Sequence, residues 1–253
     1  MFNHERLIVY QESLAFASRA AVLVETWDRK HAVSDHLARA AESIALNLAE
    51  ACRADSIKIR HAAMDYSLGS LFECAACLDV ARVKALVDSE TELKEKKQLL
   101  AMCGKLIGLR KSWEARCMHD EQAEYTIEAP MDNVCFSHER LVVYKSALAV
   151  IENLKILDPG TVTDKRLFQD IDETSTSVVL NLAEGNGRFA ELDHRRFLGI
   201  ANRATVRLAV LLDLGAVKKR WPSQNVQTLK NLLERVSHMT TAMMRRCERN
   251  DKG

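Results

Sequence analysis

The sequence predicts an all-α protein built from two tandem antiparallel up-down four-helix bundles. Two stretches repeat at one offset of 134 residues: FNHERLIVY at 2–10 returns as FSHERLVVY at 136–144, and SIALNLAEA at 43–51 returns as SVVLNLAEG at 177–185. A shared offset indicates that one structural unit has been duplicated. With 47% hydrophobic and 28% charged residues, the composition is typical of a globular chain, and only nine glycines and three prolines leave few places for turns.

Apolar residues at alternating steps of three and four predict the helices of the first copy. The first helix, expected over about 4–30, has a stripe formed by Leu7, Tyr10, Leu14, Ala17, Ala21 and Val24. The second, with Ser34 or Asp35 as its cap, has Leu37, Ala41, Ile44, Leu48 and Ala51. The third, after the capping types Asp55 and Ser56, has His61, Met64, Leu68, Leu71, Ala75 and Leu78. The fourth has Leu99, Met102, Leu106, Leu109 and Trp113.

The second copy repeats this plan, with helices expected near 138–156, 164–185, 190–219 and 223–248. Breaks at 158–160 and 221–223 contain the other two prolines. Four amphipathic helices with short connections bury their stripes most simply in an antiparallel bundle. The predicted domains are 1–118 and 136–253, joined by a linker over 119–135 that contains Pro130.

The amino-terminal segment carries Glu5 and Arg6 where an export signal needs an apolar run, and no segment is long enough to span a bilayer. We therefore expect a cytoplasmic protein. Seven cysteines scattered over apolar faces fit a reducing compartment and predict no disulfide framework.

Four motifs carry a resemblance to a known family: an opening L-x-V-Y, then S-x-x-x-N-x-A-E, a following Arg, and G-S-x-x-E in the third helix. Together they resemble bacterial four-helix-bundle proteins encoded in intervening sequences of 23S rRNA genes. The same fold class includes the accessory variability determinant of diversity-generating retroelements. The resemblance implies RNA or DNA as a partner, or a nucleic-acid enzyme such as a reverse transcriptase, and a homo-oligomer.

The resemblance covers both copies but is more complete in the first. There the matching positions are Leu7, Val9, Tyr10, Ser43, Asn47, Ala49, Glu50, Arg53, Gly69, Ser70 and Glu73. In the second they are Leu141, Val143, Tyr144, Ser177, Asn181, Ala183, Glu184, Gly185 and Arg188. The third-helix signature is missing from the second copy, where Arg203, Ala204 and Arg207 stand at the aligned positions.

Ser43, Asn47 and Glu50 lie at steps of four and three and therefore share one helix face, as their counterparts in the second copy do. Two interpretations are open. These polar residues could tie down the loop between the second and third helices through hydrogen bonds, or they could form a recognition surface for a partner or another subunit. Arg53 and Arg188 are placed to offset the carboxylates near the helix ends.

Motifs for catalysis are missing from the sequence. The CAAC stretch from Cys74 to Cys77 lies inside a predicted helix without a second pair, which favours a structural role. His31 and His36 lack a nearby third ligand and are expected at the surface. The chain has no Gly-rich phosphate loop, and it lacks the two Glu-x-x-His motifs on two helices that a di-metal site in a bundle needs. We expect a non-enzymatic protein without metal or cofactor.

Charge differs between the copies: residues 1–134 hold 17 basic and 21 acidic residues, whereas 135–253 hold 19 and 14. The basic residues of the second copy are candidates for nucleic-acid binding: Arg188, Arg195, Arg196, Lys218, Lys219, Arg220, Arg245, Arg246 and Arg249. Several of them are expected at one pole of the bundle. Only Phe189 and Trp221 could stack on bases.

The predicted function is that of an adaptor that contacts nucleic acid, or a nucleic-acid enzyme, through the basic second bundle. The alternative is a protein-only oligomeric scaffold or a regulator of a neighbouring gene product. In that case, contact between the acidic and basic copies would create a head-to-tail interface, which closes into rings or extends into filaments.

Overall fold

A computed structural model describes residues 3–28, 31–118, 136–157, 164–188 and 190–250, without the side chains of 3, 114–118 and 248–250. Eight α-helices account for most of this part of the chain, and it contains no strand. The predicted linker, Phe189 and the break at 158–160 lie outside the described residues. No helix among the described residues is both long and apolar enough to cross a membrane.

The helices of the first copy are α1 (Ile8–Glu25), α2 (Ala32–Arg53), α3 (Ile57–Val83) and α4 (Ser89–Met118). Those of the second copy are α5 (Val142–Asn153), α6 (Lys165–Asn186), α7 (Glu191–Val217) and α8 (Ser223–Asn250). Within each copy, each helix packs against its chain neighbours, and the first and last helices also pack together. The predicted fold class, two tandem four-helix bundles, is confirmed.

The ends of the first two helices differ from the sequence prediction. A 3-10 turn over Asn3–Arg6 precedes α1, which ends at Glu25 rather than near residue 30. Helix α2 begins at Ala32, before either predicted cap, and the backbone amide of Ala32 donates to the carboxylate of Asp172 at 2.8 Å. A side chain of the other bundle therefore caps α2. For α3 the prediction is confirmed, since the Ser56 hydroxyl accepts from the amide of Ile59.

The apolar stripes of α2, α3 and α4 meet inside the first bundle, as the periodicity predicts. The stripe predicted for the first helix is wrong, because α1 buries Val9, Ser13, Phe16 and Ala20, each one position before the predicted face, and leaves Leu14 48% exposed. The polar Ser13 interrupts the apolar pattern of the face that is buried. Residues with almost no solvent exposure include Leu37, Ile44, Leu48, Met64, Leu68, Leu71, Leu78, Leu99 and Leu106 in the first copy, and Leu198, Leu208, Leu212, Leu229 and Val236 in the second. Burial of each leucine-sized side chain contributes about 1.5–3 kcal/mol to folding.

The two bundles pack against each other through different helices. Helix α3 of the first bundle lies against α5 and α6 of the second, and α2 also touches α6. Helix α7 is the repeat counterpart of α3, but its corresponding face is exposed to solvent. The interface is therefore heterologous, because each copy contributes a different surface.

Candidate interaction sites

The Ser and Asn that both copies of the repeated motif share form hydrogen bonds within their own helices. In α2 the Asn47 side-chain amide donates to the backbone oxygen and the hydroxyl of Ser43, both at 2.8 Å. In α6, Asn181 repeats this arrangement with Ser177 at 2.7 and 3.1 Å. Asn47 and Asn181 thus bond to their own helices rather than to the following loop.

The third-helix signature of the first copy is explained residue by residue. The hydroxyl of Ser70 lies 2.8 Å from that of Ser43, which joins α3 to α2. A carboxylate oxygen of Glu73 lies 3.0 Å from Nδ1 of His36, so this histidine is partnered and only partly exposed, unlike the surface position expected. Gly69 leaves room for a guanidinium, since a Cβ there would come within 2.7 Å of Arg188.

Arg188 crosses from the second bundle into the first and is buried there. Its side chain is 3% exposed, donates to the backbone oxygen of Asp65 at 3.0 Å, and forms an ion pair with Glu184 four residues earlier. The guanidinium lies over the rings of Tyr66 and Phe197, at 5.0 and 4.8 Å from their centroids. This geometry agrees with the expectation that Arg188 offsets the negative charge of Glu184 near the end of α6. The same contacts bury Arg188, so the prediction that it is an exposed nucleic-acid-binding residue is wrong.

Burial raises the pKa of Glu184, and the nearby carboxylate of Glu73 raises it further, while Arg188 acts in the opposite direction. Its repeat counterpart Glu50 is exposed at the end of α2. The same motif residue therefore lies in an interface in one copy and faces solvent in the other.

A buried charged network joins the bundles along α3. The Lys96 ammonium lies 2.6 Å from Asp79 and 2.9 Å from Glu139, and the Tyr144 hydroxyl donates to the other oxygen of Asp79 at 2.7 Å. Burial raises the pKa of the Tyr144 hydroxyl well above its usual value, and Asp79 adds to this. Burial alone would lower the pKa of Lys96, but Asp79 and Glu139 raise it above its usual value. The lysine therefore stays charged between two carboxylates.

Asp79, His138 and Glu139 place potential metal ligands within 4.8 Å of one another. Burial lowers the pKa of His138 to about 3, so its imidazole is neutral, as a metal ligand would be. The Lys96 ammonium, however, already contacts both carboxylates and supplies the positive charge at this position. This geometry favours a structural ion cluster over a metal centre.

A second group of polar contacts lies at the other end of the interface. Lys84, at the end of α3, donates to Asp172 at 2.6 Å and to Thr176 at 3.0 Å, and His31 Nδ1 lies 3.4 Å from Asp172. Burial raises the pKa of Asp172, but the hydrogen bond with His31 and the Lys84 ammonium outweigh it and lower this pKa to about 2. His31 is thus another histidine that the structure places in a contact.

The cysteines of the CAAC stretch face the core, as their position in a helix predicts. Cys74 and Cys77 have no solvent exposure and are not joined in a disulfide. Burial raises the pKa of both thiols well above the usual value, so they stay protonated and behave as small apolar side chains.

The remaining basic candidates fall at two poles of the second bundle. Arg195 and Arg196 at the start of α7 and Arg245 and Arg246 near the end of α8 are exposed. The two helix ends adjoin, because α7 packs against α8. Burial raises the pKa of the Cys247 thiol, and Glu191 and Arg195 at the start of α7 are close enough to affect this pKa as well. We call Arg195, Arg196, Arg245 and Arg246 the basic pole.

The other basic run lies at the opposite end of the bundle. Lys218, Lys219 and Arg220 are exposed at the end of α7, and Lys218 is 2.7 Å from Asp164. The side chain of Arg249 lies outside the described part of α8, and Trp221 is buried against Phe168 rather than presented for stacking. Lys218, Lys219 and Arg220 thus lie apart from the basic pole, whereas Arg188, which the sequence placed at that pole, is buried between the bundles.

Sequence reasoning missed the residues that join the bundles, chiefly Asp79, Lys96, Lys84 and Asp172. Two signals were available. Asp79 interrupts the apolar run CLDVARV, and a lone acid on an apolar stretch calls for a partner. His138, Glu139 and Tyr144 belong to the repeated stretch FSHERLVVY, which was used to detect the duplication and the opening family motif but not to predict a contact.

The fold and these contacts define a class of protein, the helical proteins with duplicated bundles packed through a polar interface. Residues 5–108 and 139–242 both match the family of the 23S rRNA-intervening sequence protein, at the same offset as the internal repeat. The chain belongs to this family. No curated protein and no solved structure matches it significantly.

Proposed function

We propose that this protein is a non-enzymatic cytoplasmic adaptor that binds nucleic acid through the basic pole of its second bundle. The observation that carries this proposal is the convergence of four exposed arginines from two helix ends. Arginine forks bind phosphate oxygens in a bidentate manner, and each phosphate neutralised releases counterions.

The partner is expected to be contacted through its backbone rather than its bases. Phe168 and Trp221 pack together away from the basic pole, and the pole itself is formed by arginines. Such a surface binds the phosphate backbone with little preference for sequence.

A nucleic-acid enzyme, such as a reverse transcriptase, is the second partner class, supported by the resemblance to the accessory variability determinant.

The test is to titrate the intact protein into fluorescently labelled single-stranded RNA and, separately, into labelled duplex DNA. Binding is measured by fluorescence anisotropy at a series of salt concentrations. We expect the logarithm of the affinity to fall with the logarithm of the salt concentration, with a slope of about 0.9 per phosphate contacted on duplex DNA and about 0.7 on single-stranded RNA. Replacing both Arg245 and Arg246 by Ala should reduce this slope by about 2.

A double change of Lys218 and Arg220 to Ala is the matched control, because it removes the same charge from the opposite pole. Equal losses from both variants would show that net charge rather than the basic pole drives binding. If the unaltered protein does not bind either nucleic acid at low salt, the proposal is wrong.

A further inference from the structure

A cavity of about 220 Å³ lies between the two bundles, beside the contacts of Lys84 with α6. His31 and Lys84 line it from the first bundle, and the other described lining residues belong to the second. A water molecule occupies about 30 Å³ in the liquid, whereas pockets for drug-sized ligands have about 300–1,000 Å³. The cavity therefore has room for a small organic molecule, and such a molecule would contact both bundles.

One wall of the cavity is apolar and comes from the second bundle alone. Ile151, Leu157 and Ile171 are 4%, 2% and 4% exposed, and Leu154 and Phe168 are partly buried. Four of these five side chains are aliphatic. The wall fits a short hydrocarbon chain, because removing apolar surface from water favours binding.

The carboxylate of Asp172 also lines the cavity, but it already has its partners. It accepts from the backbone amide of Ala32 at 2.8 Å and from Lys84 at 2.6 Å, and His31 Nδ1 lies 3.4 Å away. Burial alone would raise the pKa of Asp172, but His31 and Lys84 lower it to about 2. The charge of this carboxylate is thus neutralised within the protein, which disfavours a cationic ligand.

The basic groups of the cavity, in contrast, keep hydrogen-bonding capacity. The Lys84 side chain is 9% exposed and uses two of its three N–H groups, on Asp172 and Thr176. Burial lowers the pKa of Lys84, and Asp172 offsets this only in part. Lys155 lines the cavity without a hydrogen bond or ion pair to any described residue. Because Lys84 and Asp172 cancel, Lys155 gives the cavity an excess positive charge.

The internal repeat shows that a bundle of this kind does not need these charged groups. At the offset of 134 residues, Lys155 and Asp172 correspond to Ala21 and Ala38 of the first bundle. Asp172 is explained by its contacts with α2 and α3. Lys155 has no such contact in the described part of the chain, and an anion in the cavity would give it a partner.

We propose that the cavity between the bundles binds a short-chain monocarboxylate, with the hydrocarbon chain against the apolar wall and the carboxylate between Lys84 and Lys155. The carboxylate accepts the remaining N–H of Lys84 and pairs with Lys155, and both contacts are charge-assisted hydrogen bonds. Because the ligand contacts both bundles, it stabilises their packing by binding only the folded chain. This inference does not depend on nucleic-acid binding.

Hexanoate is the probe, and hexanol and hexylamine are its neutral and cationic counterparts with the same chain. Isothermal titration calorimetry of the full protein measures the three affinities. We expect hexanoate to bind at least about tenfold more tightly than hexanol, because a hydrogen bond between charged groups contributes about one factor of ten or more. Hexylamine should bind more weakly than both. The methyl NMR signals of Ile151, Leu157 and Ile171 should shift when hexanoate binds.

Two variants test the two parts of the site. Lys155→Met removes the unpartnered ammonium and should weaken hexanoate binding about tenfold while leaving hexanol binding unchanged. Leu154→Trp fills the cavity from a partly buried position and should abolish the binding of both. Lys145→Met is the matched control, because Lys145 is exposed on α5 and is not among the lining residues. Circular dichroism checks that each variant folds.

Four results would overturn the proposal. The first is that hexanoate does not bind at millimolar concentrations, and the second is that hexanol or hexylamine binds as tightly as hexanoate. The third is an equal loss of affinity with Lys145→Met and Lys155→Met. The fourth is a set of methyl shifts confined to residues outside the cavity.

Discussion

Arg188 has two roles, one within the second bundle and one in the contact between the two bundles. Its ion pair with Glu184 offsets a carboxylate near the end of α6, and its contacts with Asp65 and Tyr66 also fasten the second bundle to the first. Gly69 makes this possible, since any side chain there would collide with the guanidinium. In the second copy Arg203 occupies the position of Gly69, and α7 has no bundle docked on that face.

A strained residue ends the third helix of each copy. Ala85 and Lys219, one repeat apart, have φ of 58° and 55°. Around Ala85 the amide of Leu86 donates to Ala81 O and that of Ala85 to Arg82 O, which is a Schellman ending. Glycine is the residue that normally occupies this position without strain.

Ala85→Gly is therefore expected to raise the free energy of unfolding by about 1 kcal/mol, because it removes the left-handed strain. The measurement is chemical denaturation followed by circular dichroism. Ala101→Gly, at an exposed position inside α4, is the control and should lower stability by about 1 kcal/mol. Destabilisation by Ala85→Gly would contradict the assigned helix ending.

At the scale of elements, the cap of α2 comes from the other bundle. Asp172 accepts from the amide of Ala32 and pairs with Lys84, so one carboxylate holds the start of α2 and the end of α3 against α6. This explains why the start of α2 was misplaced from sequence, since Ser34 and Asp35 are good local caps but a distant residue took the role. Local signals cannot reveal a partner 140 residues away.

The lowered pKa of Asp172 makes a prediction about acid stability. Its folded pKa of about 2 is below the ordinary 3.8, so its contribution is complete above pH 4 or so and is lost as the pH falls through about 2. Asp172→Asn should lower the free energy of unfolding by about 2 kcal/mol at neutral pH and should make this free energy less dependent on pH between about 2 and 4. Urea titrations at several pH values measure the free energy of unfolding. Asp55→Asn, at an exposed site, should leave the profile unchanged.

At the scale of the whole molecule, the sequence predicted the bundles but not how they meet. The spacing of the apolar residues and the internal repeat were enough to predict the fold. Apolar residues that recur with a period of about 3.6 form a stripe along a helix, and four such helices must bury their stripes in a shared core. The contact between bundles depends on side chains distributed over α3, α5 and α6, and no local pattern marks them as a set. Charge counting likewise grouped Arg188 with exposed arginines, although its burial follows only from the tertiary arrangement.

The same comparison explains why the copies have diverged. The first copy retains Gly69 and Glu73 where the second bundle docks, while Arg203 and Arg207 replace them at the corresponding positions of α7. Duplication thus produced one buried interface and one pair of exposed counterparts on a single chain.

The most direct test of the account is a double-mutant cycle across the bundle interface, measured as unfolding free energies at a protein concentration low enough to keep the chain monomeric. Asp79→Ala and Tyr144→Phe should show a coupling of about 1–3 kcal/mol, because they remove the acceptor and the donor of one buried hydrogen bond. The repeat counterparts, Asp213→Ala and Tyr10→Phe, should show almost none. Absence of coupling between Asp79 and Tyr144 would contradict the bundle interface on which the account rests.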